Sequence, residues 1–215
     1  MTSVSRFTVT HGAHLVAAAA IWLVASTASA QSLGGAALIN ALHQGGYVIA
    51  MRHPSSPFAA PDKAQADAAN PQLERQLDDT GRKTAREWGE AFRTLRIPVG
   101  QIFTSPTYRA REAIRLSGLG AGKVVPELDE GAQGMKGNAD AGHAAWLLRA
   151  VTTAPPAATN TLLVTHTPNL TAAFGPLAKN VAAGEALIFR PHGTAEPELV
   201  ARVKIEEWPK LVSAP

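Results

Sequence analysis

Two short apolar runs in this chain each stop at a histidine. One is Tyr47-Val48-Ile49-Ala50-Met51, followed by Arg52-His53-Pro54; the other is Leu162-Leu163-Val164, carried through Thr165 to His166. Runs of this length without polar alternation suit strands covered on both faces, as in a parallel sheet. Gly45-Gly46 marks the entry into the first strand, and Pro54, which has no N–H to give to a ladder, marks its end. Arg52 and His53 are thereby delivered side by side at the carboxyl end of a strand, where open α/β sheets place their ligands. The pair is a candidate active site, with a surface Arg-His pair as the competing reading of the dipeptide alone.

Residues 1–30 read as a segment apart from the fold. Arg6 is their only full side-chain charge, Leu15 to Ala25 is an apolar core, and Ala28-Ser29-Ala30 has the small-x-small form of a signal-peptidase site. The core is shorter than the ~20 apolar residues that span a bilayer, so a cleaved signal peptide is expected rather than an anchor. The mature chain then begins at Gln31, is periplasmic or secreted, and keeps no stable membrane insertion. Cleavage lowers the formal charge from +3 to +2, because the segment carries one arginine and no acid. So small a charge gives no reason to expect a nucleic acid as partner.

Residues 31–215 fit one domain with a substantial core. Cysteine is absent, which excludes disulfides in spite of export and excludes a thiol nucleophile. Covalent catalysis is left to histidine, serine, threonine, lysine or a carboxylate. No two histidines stand at i, i+4 or His-x-His spacing, which disfavours a metal-dependent hydrolase. His11 and His14 leave with the signal; His43, His143 and His192 read as surface residues.

Helical and strand signals alternate along the mature chain. Leu38, Ile39 and Leu42 mark a helix over Leu33 to His43 that stops at the glycine pair. Pro57 to Gln72, rich in Ala, Pro and Asp, reads as a loop over the site. Asp78 or Asp79 can cap the next helix, whose apolar face is Ala85, Trp88, Phe92 and Leu95. Gln101 to Thr104 is a strand leading through Ser105-Pro106 into a helix with Arg109, Arg111, Glu112 and Arg115. Lys123 to Pro126 is a short strand, followed by Glu127-Leu128-Asp129-Glu130 and a loop punctuated by Gly131, Gly134 and Gly137. Asp140 caps a helix with Ala144, Trp146, Leu147 and Val151; Trp88 and Trp146 are assigned to the core. Ala154 to Asn160 is a linker, Thr161 to Thr165 is the second buried strand, and Ala186 to Phe189 and Glu198 to Val203 are the last two strands, joined around His192-Gly193. The alternation predicts an α/β three-layer sandwich, a mostly parallel central sheet flanked by helices.

The order of these signals resembles the histidine phosphatase superfamily, whose fold is phosphoglycerate mutase-like. Arg52-His53-Pro54 resembles its Arg-His-Gly motif, and Leu77-Asp78-Asp79-Thr80-Gly81-Arg82 its helix opening. Ser105-Pro106-Thr107-Tyr108-Arg109-Ala110 resembles its Ser-Pro-x-x-Arg-Ala, and Leu162 to His166 its second histidine strand. Leu128-Asp129-Glu130 with Gly134 resembles the acidic motif of its mutase-like branch. The likeness covers about Leu38 to Phe189. Two departures are Pro54 for the motif glycine, which removes a backbone N–H, and Thr167, where many members have glycine.

Phosphoryl transfer asks a protein to align an attacking group with phosphorus and to neutralise the equatorial oxygens. Arg52 and Arg109 suit the second task, being permanently charged and able to bind phosphate bidentately. Cations beside His53 keep its imidazole neutral and nucleophilic, and His166 completes the clamp by donating to an equatorial oxygen. The resemblance implies a phosphohistidine on His53 that water hydrolyses, with Glu130 as general acid and then base. Asp129 and Glu127 are neighbours of the right type for that role. Ser55 is a turn hydroxyl that either caps backbone or donates to phosphate. The expectation is an exported phosphomonoesterase acting on a small phosphorylated substrate, with no cofactor and no metal. A phosphomutase of the same fold and a non-catalytic phosphate-binding module are the alternatives.

Overall fold

The structure, a computed structural model, describes residues 32–57, 70–130, 141–193 and 196–212. The predicted signal sequence and its cleavage point before Gln31, most of the 57–72 loop, and the stretch with Gly131, Gly134, Gly137 and the predicted cap Asp140 lie outside the described residues.

The alternation of side chains along the strands builds the layers. In β1 (Val48–Arg52), Ile49 and Met51 join one apolar cluster while Val48 and Ala50 join another, the period-two pattern of a pleated strand buried on both faces. With Leu162 and Val164 of β4 (Asn160–Thr165), the first cluster meets α1 (Gly35–Gln44), α2 (Asp79–Thr94), α3 (Tyr108–Ser117) and α6 (Trp208–Val212). With Leu163, the second meets Leu147 and Val151 of α4 (Ala141–Thr152) and Leu170 and Phe174 of α5 (Thr167–Phe174). The result is the three-layer sandwich that the sequence pattern predicts.

Among the described residues the sheet has six strands in the order β3-β2-β4-β1-β5-β6, where β2 is Val99–Thr104, β3 Lys123–Val124, β5 Ala186–Arg190 and β6 Glu198–Val203. β3, β2, β4 and β1 pair in parallel, whereas β5 runs antiparallel to both β1 and β6. Arg52 stands opposite Thr165, so the two histidines emerge at the same level. The His53 N–H donates to the Thr165 carbonyl at 3.0 Å, and the Ser105 N–H, one step past β2, donates to the Val164 carbonyl at 3.0 Å. Three adjacent strands therefore end together.

Several local expectations change. Asp78, not Asp79, caps α2, its Oδ1 accepting the Gly81 N–H at 2.7 Å. Trp146 is half-buried, edge-on to Phe103 at 6.2 Å, because it lies at the rim of its layer rather than under it. Asn160 is no linker residue: fully buried, it donates to the Leu42 and Pro98 carbonyls at 2.8 and 2.9 Å and accepts from the Tyr47 N–H, tying three segments to the start of β4. The strand at 123 stops at Val124, and Pro126–Leu128 is a 3₁₀ turn, as proline at its first position favours. α5, opened by Pro168, and α6 extend the predicted elements. Trp208 of α6 is fully buried against Phe92, rings 4.7 Å apart, and Phe92 stacks edge-on with Trp88 at 5.4 Å.

Two glycines of α2 are demanded by close approach. A Cβ at Gly81 would lie 2.1 Å from the Ser55 carbonyl oxygen, beside the active-site strand end, and one at Gly89 would lie 1.9 Å from the Ser117 carbonyl oxygen of α3. Alanine gains about 1 kcal/mol over glycine in a helix interior, but overpacking against backbone costs about 1–3 kcal/mol. The clash wins at Gly89, so Gly89→Ala is expected to lower the urea midpoint; a midpoint that rises would show that α2 and α3 can move apart freely.

Candidate active site

Each side chain of the site is placed by the end of an element. Strand β1 delivers Arg52 and His53, β4 delivers His166, and the first turn of α3 carries Arg109. The turn after Pro126–Leu128 brings Glu130, and the segment entering α2 brings Arg75. His53, His166 and Arg109 are almost wholly buried, and the two imidazoles lie 5.1 Å apart at 62°.

Arg109 is the centre of the network. Its Nε donates to His53 Nε2 at 3.2 Å, and its Nη2 donates to Glu130 Oε1 at 2.6 Å and to His166 Nδ1 at 3.1 Å. Glu130 Oε2 lies 3.6 Å from the same His166 nitrogen. The structure thus brings together His53, His166, Arg109 and Glu130. Arg52 is half-buried beside them, one Nη donating to the Val181 carbonyl at 3.0 Å and its charge felt by both histidines.

The hydrogen bonds assign the tautomers. A carbonyl only accepts, so the 2.7 Å contact between His53 Nδ1 and the Pro54 oxygen puts the proton on Nδ1 and leaves a lone pair on Nε2, facing Arg109 and Arg75. Proline lacks the N–H that the resembled motif carries at this position, but it keeps the carbonyl that fixes this tautomer. Arginine only donates, so His166 Nδ1 is an acceptor and its Nε2–H is given to Ser105 Oγ at 2.8 Å. Ser105 in turn accepts the Thr107 N–H. The Ser-Pro of the sequence motif therefore orients His166.

Burial first, then the guanidinium of Arg109 and the charges of Arg75 and Arg52, push the His53 pKa down from 6.5 to about 3. Burial and Arg109 likewise hold His166 well below its ordinary value. Arg75, buried beside Arg109, is pushed down to about 10, and Arg52 is lowered by its burial. Asp129 is pushed up by burial, and its Oδ1 accepts the Glu130 N–H at 2.8 Å instead of entering the network. Three guanidiniums and one carboxylate around neutral imidazoles leave a formal charge of +2, the complement of a dianion. Among the described residues no group of three or more His, Asp or Glu could hold a metal ion, and no helix is long and apolar enough to cross a membrane.

The model of the histidine phosphatase superfamily (branch 1) matches residues 48–143, the segment that holds His53, Arg75, Arg109 and Glu130. Over that segment the chain is similar to the histidine phosphatase superfamily. No curated protein sequence matches it significantly. Among solved structures it is similar to the protein histidine phosphatase SixA complexed with tungstate, at 16% identity over 75% of this chain and 98% of that one, with a TM-score of 0.56. It is also similar to SixA from Agrobacterium tumefaciens, at 17% identity over 74% and 97%, TM-score 0.52. A phosphoserine phosphatase mutant from Entamoeba histolytica, in complex with phosphoserine, aligns at 13% identity over 74% and 98%, TM-score 0.50. These likenesses establish a shared fold.

Arg75 is absent from the residues expected of the site. Its Nη2 approaches His53 Nε2 at 3.5 Å while its Nε donates to Ser56 Oγ at 2.8 Å. It lies in a stretch without helical or strand period, and the only hint in the sequence is Glu74-Arg75 standing just before the capped helix. Ser55 does not cap backbone: its hydroxyl donates to Asp78 Oδ2 at 2.6 Å, tying the strand end to the cap of α2.

The depressed histidines predict a pH dependence of stability. Between pH 6.5 and about 3 the unfolded chain binds a proton at His53 that the folded chain refuses, and His166, held well below its ordinary value, acts in the same direction, so stability falls as pH falls below 6.5 and these groups contribute no slope above it. Urea unfolding at pH 7.5 and 5 is expected to show a larger loss for the wild type than for His53→Gln. Equal losses would mean that the imidazole is protonated in the folded protein.

Proposed function

We propose that the protein is an exported phosphomonoesterase that hydrolyses a phosphate ester through a phosphohistidine on His53. The observation that carries this reading is the arrangement around Arg109: a lone pair on His53 Nε2, an acceptor nitrogen on His166 and a carboxylate on Glu130, all within reach of one guanidinium.

The contacts of Arg109 suggest how the ester is received. Glu130 occupies Arg109 as an anion would, and an incoming phosphoryl dianion competes for the same donors. Once bound, the phosphoryl group is held by Arg52, Arg75 and Arg109, which neutralise the equatorial oxygens as a metal ion does in other phosphoryl-transfer sites. The neighbouring dianion favours the protonated forms of Glu130 and of His166 Nδ1. His166 then donates to an equatorial oxygen from the same nitrogen, Nδ1, that accepts from Arg109 in the structure.

In the first step the His53 Nε2 lone pair attacks phosphorus, the bond to the leaving oxygen breaks, and Glu130 gives that oxygen its proton, releasing an alcohol. In the second, Glu130 as carboxylate takes a proton from water, whose oxygen attacks phosphorus; the phosphorus–nitrogen bond breaks and phosphate leaves. Turnover is accordingly expected with EDTA present. Export rests on the sequence of residues 1–30, and the secreted protein is expected to begin at Gln31.

A second reading is favoured by the likeness to SixA, named a protein histidine phosphatase, and takes phosphohistidine as substrate. A protonated imidazole leaves phosphorus as a neutral group without help, whereas an alkoxide needs a proton from the protein. The carboxylate of Glu130, 2.6 Å from Arg109 and 3.6 Å from His166, favours the ester. A non-catalytic module is the third reading, with phosphate affinity and no turnover.

Two measurements decide among these. Alkaline quenching during turnover of a labelled ester is expected to preserve a labelled phosphohistidine, lost in His53→Ala; label that survives the substitution moves the nucleophile elsewhere. Glu130→Gln is expected to lower turnover of glycerol or sugar phosphates by about two orders of magnitude, while p-nitrophenyl phosphate, whose leaving group needs no proton, is affected far less. Equal losses on both would assign Glu130 to pocket shape alone.

A further inference from the structure

The turn that presents Glu130 is held by the residues on either side of His166. Thr165 Oγ1 donates to the Leu128 carbonyl at 2.8 Å, and Asn169 Nδ2 donates to the Asp129 carbonyl at 2.5 Å and the Glu127 carbonyl at 3.3 Å. Three consecutive carbonyls are therefore gripped by two side chains, both of them fully buried. The orientation of the Asn169 amide is fixed by this contact, since the flipped amide would set oxygen against two carbonyl oxygens. Its Oδ1 consequently lies buried without a hydrogen-bond partner among the described residues. Leaving such an acceptor unpaired opposes folding, so the amide is held in this orientation by what its nitrogen grips.

The same two residues are built into the His166 segment. Thr165 is the last residue of β4, and its carbonyl accepts the His53 N–H at 3.0 Å. Asn169 lies in the first turn of α5, three residues after His166. Strand end, helix start and acid-bearing turn thus form one rigid unit, and the separation between Glu130 and both histidines is set within it. Both side chains grip carbonyls of the turn, so their effect on the reaction passes through it.

We propose that Thr165 and Asn169 are positioning residues for the general acid, holding Glu130 at the distance from His166 and Arg109 from which its proton reaches the leaving oxygen. The inference rests on the reading of Glu130 as that acid. Displacement of a reacting group by about an ångström costs up to about a hundredfold in rate, and here the loss falls on the step that Glu130 serves. The hydroxyl of Thr165 and the amide of Asn169 are thereby given a selective consequence that a purely structural clamp does not have: their removal weakens the protein against esters with poor leaving groups.

The test compares Thr165→Val, Thr165→Ser and Asn169→Ala with the wild type on glycerol 2-phosphate and p-nitrophenyl phosphate. Thr165→Val and Asn169→Ala are expected to lower kcat/KM for glycerol 2-phosphate about tenfold and to leave p-nitrophenyl phosphate nearly unchanged, while Thr165→Ser, which keeps the hydroxyl, stays near the wild type. Added to Glu130→Gln, neither substitution lowers glycerol 2-phosphate turnover further, because the group they position is already gone. Amide hydrogen exchange across residues 127–130 is expected to quicken in Thr165→Val and Asn169→Ala, a readout that needs no turnover. Equal losses on both substrates, losses that add to that of Glu130→Gln, or unchanged exchange overturn the proposal. If Glu130→Gln alone has no leaving-group dependence, the acid assignment itself fails, and the positioning role falls with it. If Glu130→Gln has that dependence and the clamp variants do not, only the positioning role fails.

Discussion

The parallel pairing of β1 with β4 is the constraint on which the site depends. Because Arg52 stands opposite Thr165, the chain leaves both strands at one level, and the residues that follow, His53 and His166, face each other across 5.1 Å. A slip of one residue in this pairing would turn every side chain of β1 to the opposite layer, exchanging Ile49 and Met51 for Val48 and Ala50 in their two clusters. The apolar cores on the two faces therefore lock the register, and the register sets the separation of the histidines. Packing reaches the chemistry through a backbone ladder rather than through any direct contact with the site.

What the register creates has an electrostatic cost. Three guanidiniums converge on two buried imidazoles, and the lowered pKa of His53, His166, Arg75 and Arg52 records how little the folded chain welcomes further positive charge there. Glu130 offsets part of this by its 2.6 Å contact with Arg109. Ser56 and the Val181 carbonyl hold Arg75 and Arg52 in place, so the cations cannot swing out to water to relieve their repulsion. A pocket with this charge favours a ligand that brings two negative charges, and for the proposed reaction that is the preorganisation electrostatic catalysis requires.

The sequence made the strands and their histidines legible because buried strands have a short, unbroken apolar signature and because proline ends one of them. Arg109 was legible through its motif and Asp78 through the chemistry of helix caps. Arg75 was not, since it belongs to an aperiodic segment and acquires its role only when Ser56 brings that segment against the strand end. Trp146 was misassigned because an apolar face tells which side of a helix is covered but not how far the neighbouring layer extends. Asn160 and Asn169 were passed over for a related reason. A buried asparagine is intelligible only from the carbonyls it meets, and those lie 118 and 62 residues away for Asn160 and 42 and 40 residues away for Asn169.

The positions of Glu130 and His53, acid and nucleophile in the proposed mechanism, have a common source. Thr165 accepts the His53 N–H at its carbonyl and donates its hydroxyl to the Leu128 carbonyl, two residues before Glu130, so one residue ties the backbone of His53 to the turn that carries Glu130. Arg109 touches the side chains of both and of His166 as well. The two sets of contacts differ in what a ligand can do to them. In the proposed mechanism a phosphoryl group competes with the Arg109 side-chain contacts, because it offers the same donors better-charged oxygens, and leaves the bonds of the fully buried Thr165 in place. Under the proposed mechanism the site therefore pairs a layer of ionic contacts at Arg109, open to exchange with a phosphoryl group, with a layer of backbone contacts at Thr165 that keeps His53 and Glu130 in place.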